Sequence, residues 1–300
     1  MRVLIIGCGY VGTTLGGLLV RQGHEVEGVR RSSGDAAELE SIGIRPAVWD
    51  VTEPAGFPAL EKRWDWVVNA LSSRGGGVAG YEQLYLRGTR HLLEWMKLKP
   101  PERYVHISST SVYGQTDGSV VTEASLTEPA NGTSQVLVAV ERQLLQARVD
   151  HGWPGIILRS AGIYGRGRGH LFHQFLAGEA RLTGDGSRWL NMAQVEDVAG
   201  AALAALERGK PGDILNVADN EPVTELDFFR WLSARLRRPL PPTAVEEKAR
   251  KRGATNKRVS NAKLRTELGY EPQFPSFREG YEQEIRRLEQ TAPQEPNPPG

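Results

Sequence analysis

Three glycines near the start of the chain are spaced for chemistry. The stretch "GCGYVG" at positions 7–12 follows the apolar run "RVLII" directly and opens a segment, Val11 to Gln22, whose apolar residues have helical spacing. A G-x-G-x-x-G placed between a strand and a helix makes a tight turn at its first glycine. It admits a pyrophosphate to the backbone at its second and brings helix against strand at its third. The free N–H groups and partial positive charge of the helix N-terminus then favour the anion. Gly7, Gly9 and Gly12, with Tyr10 and Val11 between them, are therefore the first candidates for holding a dinucleotide. The next strand, "HEVEGV", ends at Arg30 and Arg31, where an acid would take the ribose hydroxyls of NAD. A guanidinium suits a 2′-phosphate instead, so NADP is the expected cofactor, with NAD as the alternative and Ser32 and Ser33 as further donors.

Positioning such a loop takes a sheet, and the chain alternates accordingly. "RVLIIG", "HEVEGV", "DWVVNAL", "RYVHISS" and "GIILRS" read as strands, with helices at Val11 to Gln22, Tyr81 to Met96 and Gln135 to Arg148. The pattern predicts a doubly wound parallel sheet, an α/β Rossmann fold, covered by helices on both faces. After Ser160 the spacing loosens into Gly- and Arg-rich loops, with helices near His170 to Leu176 and Glu196 to Glu207, a returning strand at "DILNVA" and a charge-rich helical remainder. The expected division is a dinucleotide-binding domain, 1–160 completed by 195–218, and a smaller, mostly helical C-terminal substrate lobe, 161–194 and 219–290. The proline-rich end, 291–300, is expected to be disordered.

With 37 basic and 36 acidic residues in a chain of 300, no overall field favours nucleic acid or an anionic membrane. The run "EEKARKRGATNKR" (246–258) carries six basic residues without interleaved aromatics and reads as a solvated face. No apolar stretch reaches membrane-spanning length, and the single Cys8 allows no internal disulfide, so a cytoplasmic protein is expected. His170 and His173 alone make a poor metal case, so no metal is expected.

Several motifs together resemble the extended short-chain dehydrogenase/reductases of the NAD-dependent epimerase/dehydratase family. "HISSTSVYG" (106–114) is similar to that family's active-site strand end, "GTRHLLEWM" (88–96) to its fourth helix and "LRSAGIYGRGRGH" (158–170) to its "YGPG" segment. "NMAQVEDVAGA" (191–201) and "NAKLRTELGYEPQF" (261–274) resemble its later signatures. The resemblance implies cofactor contacts at Asp50, Ala70 and Leu71 beside the glycine loop and the arginines, and a catalytic hydroxyl at Ser109. It implies a nucleotide-sugar-like or other small polar substrate, and a possible homodimer. Arg166, Arg168 and Arg188 would then meet a substrate pyrophosphate or carboxylate; a solvated loop is the equal alternative.

The resemblance breaks where the family keeps its catalytic Tyr and, four residues later, its Lys. Alignment on Glu141 puts Thr133 and Leu137 there, and no Lys occurs between Lys99 and Lys210. Tyr85 stands where the family has an Asn. Thr has no titration near neutrality and Leu no charge, which excludes the usual mechanism. Such losses resemble the atypical branch of the superfamily. Ser109 and Tyr113 become the candidates for ligand contact and Tyr164 for the acid; otherwise they bond the strand-end backbone or pack between lobes. Asp197 is expected to cap its helix. Two functions are compatible: an NADP-dependent oxidoreductase or epimerase/dehydratase-like enzyme, and a non-catalytic NADP(H)-binding sensor or scaffold.

Overall fold

The computed structural model describes residues 1–73, 75–129, 131–244 and 255–291. The tail expected to be disordered lies, beyond residue 291, outside the described residues, as does most of the basic run 246–258. Seven parallel strands form the central sheet: β1 (Arg2–Ile6), β2 (Glu25–Arg30), β3 (Arg45–Val48), β4 (Trp66–Asn69), β5 (Arg103–Ser109), β6 (Gly155–Ser160) and β7 (Ile214–Val217). Their order is β7-β6-β5-β4-β1-β2-β3. The chain thus builds outward from β1 to one edge, then returns to lay β4 on the other side of β1. The carboxyl ends of β1 and β4 part there, which opens the crevice where doubly wound sheets bind ligands.

Burial explains the regularity. Val3, Leu4, Ile5 and Ile6 of β1 are fully buried, as a strand covered on both faces must be. Helix Tyr10–Arg21 turns Val11, Leu15 and Leu19 inward at four-residue spacing. β3 escaped the sequence pattern because Pro46 and Arg45 interrupt it; an edge strand, exposed along much of its length, tolerates both. The helix expected at Tyr81 to Met96 begins at Gly77 and contains a π-helical stretch, Glu82–Arg87.

The described residues form two apolar clusters. One surrounds the sheet. The other, centred on Phe172, Phe228, Phe229, Phe277 and Tyr281, draws only on residues between 164 and 285, the segments expected to form the smaller lobe. The segment holding Val259, Leu264 and Leu268 packs on the sheet cluster instead. Its strand Arg258–Val259 pairs in parallel with Val120–Val121.

One buried acid carries a pH signature. Asp219, just beyond β7, is 4% exposed, and its Oδ2 has no hydrogen-bond partner among the described residues. Burial pushes its carboxyl well above the usual carboxylate range. The fold therefore binds this proton more tightly than the unfolded chain does, so the associated stability is full below the unfolded pKa of about 4 and is lost as pH rises through the folded value. Asp219→Asn should then gain on the order of 1 kcal/mol over wild type at pH 8 and less at pH 5. Urea denaturation at both pH values checks this; a difference independent of pH would refute it.

Candidate functional site

The glycine loop is strapped between strands: the N–H groups of Gly7 and Cys8 donate to Val29 O, and Ala70 N donates to Ile6 O at 2.8 Å. Gly7 adopts φ +79°, and a Cβ there would lie 2.8 Å from Ala70 O and Leu71 N. At Gly12 a Cβ would meet Ile5 Cγ2 at 2.9 Å, the close approach of helix to strand. Gly9 differs. A Cβ there would find only Gly7 O, at 4.0 Å, so its outer side is open. The opening leads into a cleft of about 1310 Å³ lined by Gly7, Gly9, Tyr10, Thr13, Arg30, Arg31, Ser32, Asp50, Leu71 and Ser72. That exceeds the roughly 300–1,000 Å³ of drug-sized ligand sites, so a dinucleotide fits both the cradle and the volume. Val11 and Ala70 are buried behind the loop. Cys8 is buried too, and desolvation pushes its thiol up to about 11, which makes it inert.

The two arginines separate. Arg30 points back under the loop: Nε donates to Cys8 O at 2.6 Å, and Nη2 to Thr13 Oγ1 and Glu38 Oε2, both at 3.1 Å. Its Nη1 pairs with Asp35 at 2.7 Å. Arg31 lines the cleft, exposed, with no ion pair to a described residue. Asp50 also lines it, its Oδ1 accepting from Thr52 N and Thr52 Oγ1.

At the end of β5, Ser109 is half-buried and its Oγ accepts from Ser111 N at 3.1 Å, leaving its own proton available to donate. Thr133 and Leu137 occupy the first turns of helix Gly132–His151. Asn131 caps that helix: its Oδ1 accepts from Ser134 N, and Thr133 Oγ1 donates to the same oxygen. Leu137 is 8% exposed and belongs to the sheet cluster. Tyr85, in the π-helical stretch, accepts from Ser73 N at 2.7 Å beside the cleft-lining Ser72.

Tyr113 and Tyr164 are not brought to the cleft. Tyr113, expected to touch a ligand, is fully buried; its hydroxyl donates to Asn216 Oδ1 at 2.7 Å and accepts from Arg159 Nη1 at 2.9 Å. Arg159 in turn grips Glu141, and Ser108 Oγ donates to Glu141 Oε1 at 2.6 Å. The chain of bonds pins β5, β6, β7 and helix Gly132–His151 together beneath the strand ends. Tyr164, expected as the acid, is buried in the smaller lobe, stacked on Tyr281 at 4.3 Å, and its hydroxyl has no hydrogen-bond partner among the described residues. Desolvation, helped by Asp219, holds its pKa far above neutrality, which makes it a poor proton donor. Gly280 makes room for that hydroxyl.

The three loop arginines also divide. Arg166 and Gly167 reach the dinucleotide cleft, whereas Arg168 lies over the Tyr10 ring at 4.9 Å. Arg188 is half-buried elsewhere, 3.5 Å from the fully buried Glu225. Near Arg188, sequence reasoning missed Lys257, which desolvation lowers to about 8 and whose Nζ donates to Tyr113 O at 3.0 Å. The pairing of strands Val120–Val121 and Arg258–Val259 and the bonds of Asn191 to Lys257 O and Val259 N bring it there. Asp197 does not serve as the cap of helix Val195–Arg208; Gln194 does, its side chain accepting from Glu196 N. Asp197 accepts from Tyr270 Oη, Gln273 N and Phe274 N, and so ties the C-terminal segment to the sheet domain. Among the described residues no group of three or more His, Cys, Asp or Glu could hold a metal ion. Nor is any described helix long and apolar enough to cross a membrane.

A Rossmann sheet with an open glycine cradle at its switch point defines the dinucleotide-binding class. Residues 3–218 match the NAD dependent epimerase/dehydratase family model, and the chain belongs to that family. Protein YeeZ of Escherichia coli (strain K12) is 29% identical over 284 residues, covering 91% of this chain and 96% of that protein. A 3-diazoavenalumate denitrifying reductase from Streptomyces sp is 28% identical over 305 residues, covering 93% and 99%. The structure of UDP-glucuronic acid 4-epimerase from Bacillus cereus in complex with NAD superimposes with a TM-score of 0.81 over 97% of this chain and 99% of that one, at 22% identity. This last likeness is one of fold.

Proposed function

We propose that the protein is an NADP(H)-dependent reductase of atypical type, acting on a small polar substrate at the carboxyl ends of β4 and β5. The observation that carries the reading is that the open cradle at Gly9 and Arg31 line one cleft. The bound nicotinamide would supply the hydride. Within the chain, Ser109 has a hydroxyl proton to direct at a substrate oxygen or nitrogen, while Thr133 is committed to the helix cap and Leu137 carries no charge. A substrate that accepts hydride without strong acid assistance suits such a site. The full-length similarity to a reductase named for a diazo compound supports that direction over epimerisation, which needs a strong base and acid in turn.

Arg30 is already engaged by Asp35 and Glu38, so the 2′-phosphate falls to Arg31 and Ser32. Calorimetric titration of cofactor-stripped protein should give micromolar NADPH binding, strongly preferred over NADH. Arg31→Asp should cost about 10-fold in NADPH affinity and leave NADH within about threefold. Equal losses for both would remove the NADP assignment. The alternative, a non-catalytic NADP(H) sensor, draws support from the burial of both candidate tyrosines. Turnover abolished by Ser109→Ala with NADPH binding intact would exclude it.

A further inference from the structure

The glycine-rich loop 165–169 carries a cation whose position differs from that of its neighbours. Gly165, Gly167 and Gly169 have φ of +136°, +67° and +140°, values that side-chain-bearing residues rarely adopt. Gly165 and Arg168 close a tight turn with reciprocal backbone bonds of 3.1 and 2.8 Å. The turn is clasped onto the start of helix Tyr10–Arg21: Arg168 lies over the Tyr10 ring, and a Cβ on Gly165 would come within 2.9 Å of Tyr10 Oη. Arg166, between these fixed points, lines the same cleft as Gly7, Gly9 and Thr13, and pairs with no described carboxylate.

The charge balance of the cleft calls for such a group. A dinucleotide brings two negative charges on its diphosphate, and the glycine loop offers backbone N–H groups and a helix terminus only. Arg30 is neutralised by Asp35 and Glu38, and Glu196 adds a further carboxyl to the wall. We propose that Arg166 binds the diphosphate of the cofactor from the side opposite the glycine loop, with Tyr10 and Arg168 as the clasp that holds it there. The proposal rests on the dinucleotide reading above, and it moves Arg166 from a substrate role to a cofactor one.

Calorimetry on wild type, Arg166→Ala, Arg166→Lys and Tyr10→Leu, with NADPH, NADH, ADP and AMP at two salt concentrations, tests it. Arg166→Ala should weaken NADPH, NADH and ADP alike, by about 10-fold, with AMP changed by less than about threefold. The salt dependence of dinucleotide binding should become shallower, and Lys should recover part of the loss. Tyr10→Leu should reproduce a fraction of the same pattern. If wild type binds no dinucleotide, the underlying reading fails. If wild type binds and Arg166→Ala binds equally well, this proposal alone fails. A loss confined to NADPH would place Arg166 at the 2′-phosphate and overturn it as well.

Discussion

Arg159→Ala should cost about 3–5 kcal/mol of folding stability, because it leaves the Glu141 carboxylate buried without its cation. Arg159 and Glu141 are 5% and 3% exposed, joined by a 2.7 Å ion pair. Removing the guanidinium also takes a donor from the Tyr113 hydroxyl and leaves Ser108 as the donor to the carboxylate. Breaking such a pair from one side is the expensive operation; replacing both partners by apolar groups of similar volume is far milder. Arg159→Met with Glu141→Leu should therefore lie closer to wild type than Arg159→Ala does. Urea denaturation followed by tryptophan fluorescence measures both, with unchanged m-values showing that the denatured state is the same. A single variant within about 1 kcal/mol of wild type would mean that the pair is already solvated and neutral in effect.

Gly9→Ala should separate binding from folding. Its methyl group meets only Gly7 O at 4.0 Å, so stability should stay within about 0.5 kcal/mol of wild type. The same methyl occupies the space through which a pyrophosphate approaches the backbone, so affinity for NADPH and NADH should fall together by about 100-fold. Gly7→Ala provides the contrast. There the positive φ and three backbone atoms at 2.8 Å admit no methyl, and both stability and binding should be lost. Paired melting curves and titrations read the two variants. Undiminished nucleotide binding by a well-folded Gly9→Ala protein would show that no diphosphate lies against this loop.

Much of this architecture was legible in the residue order. "RYVHISS" and "GIILRS" coincide with β5 and β6, because strands buried on both faces read as largely apolar runs. The glycine loop declared itself through the spacing of three glycines, of which Gly7 has a positive φ, Gly12 has no room for a side chain and Gly9 leaves its outer side open. Side-chain partnership was less visible. Arg30 and Arg31 are adjacent in sequence and line the same cleft, yet Asp35 and Glu38 engage Arg30 while no described carboxylate pairs with Arg31. Tyr113 and Tyr164 stand in motifs that suggest chemistry, but the Tyr113 hydroxyl is placed by Asn216 and Arg159 and the Tyr164 ring by Tyr281, which lie far along the chain. Nothing local to Arg166 tells that its loop crosses back over Tyr10 and brings it to the cleft beside the glycine loop.

Leu137 has a consequence for what its helix can accept. It is knitted into the apolar cluster around the sheet at 8% exposure, with Val136, Val138 and Val140 buried nearby on the same helix. A lysine placed there would bring its ammonium into packing that has closed around an aliphatic side chain. A tyrosine at Thr133 would remove the hydroxyl that shares Asn131 with the helix cap. Each substitution disturbs its surroundings when made alone, so installing a Tyr and a Lys four residues apart on this helix calls for repacking around both positions rather than a single exchange.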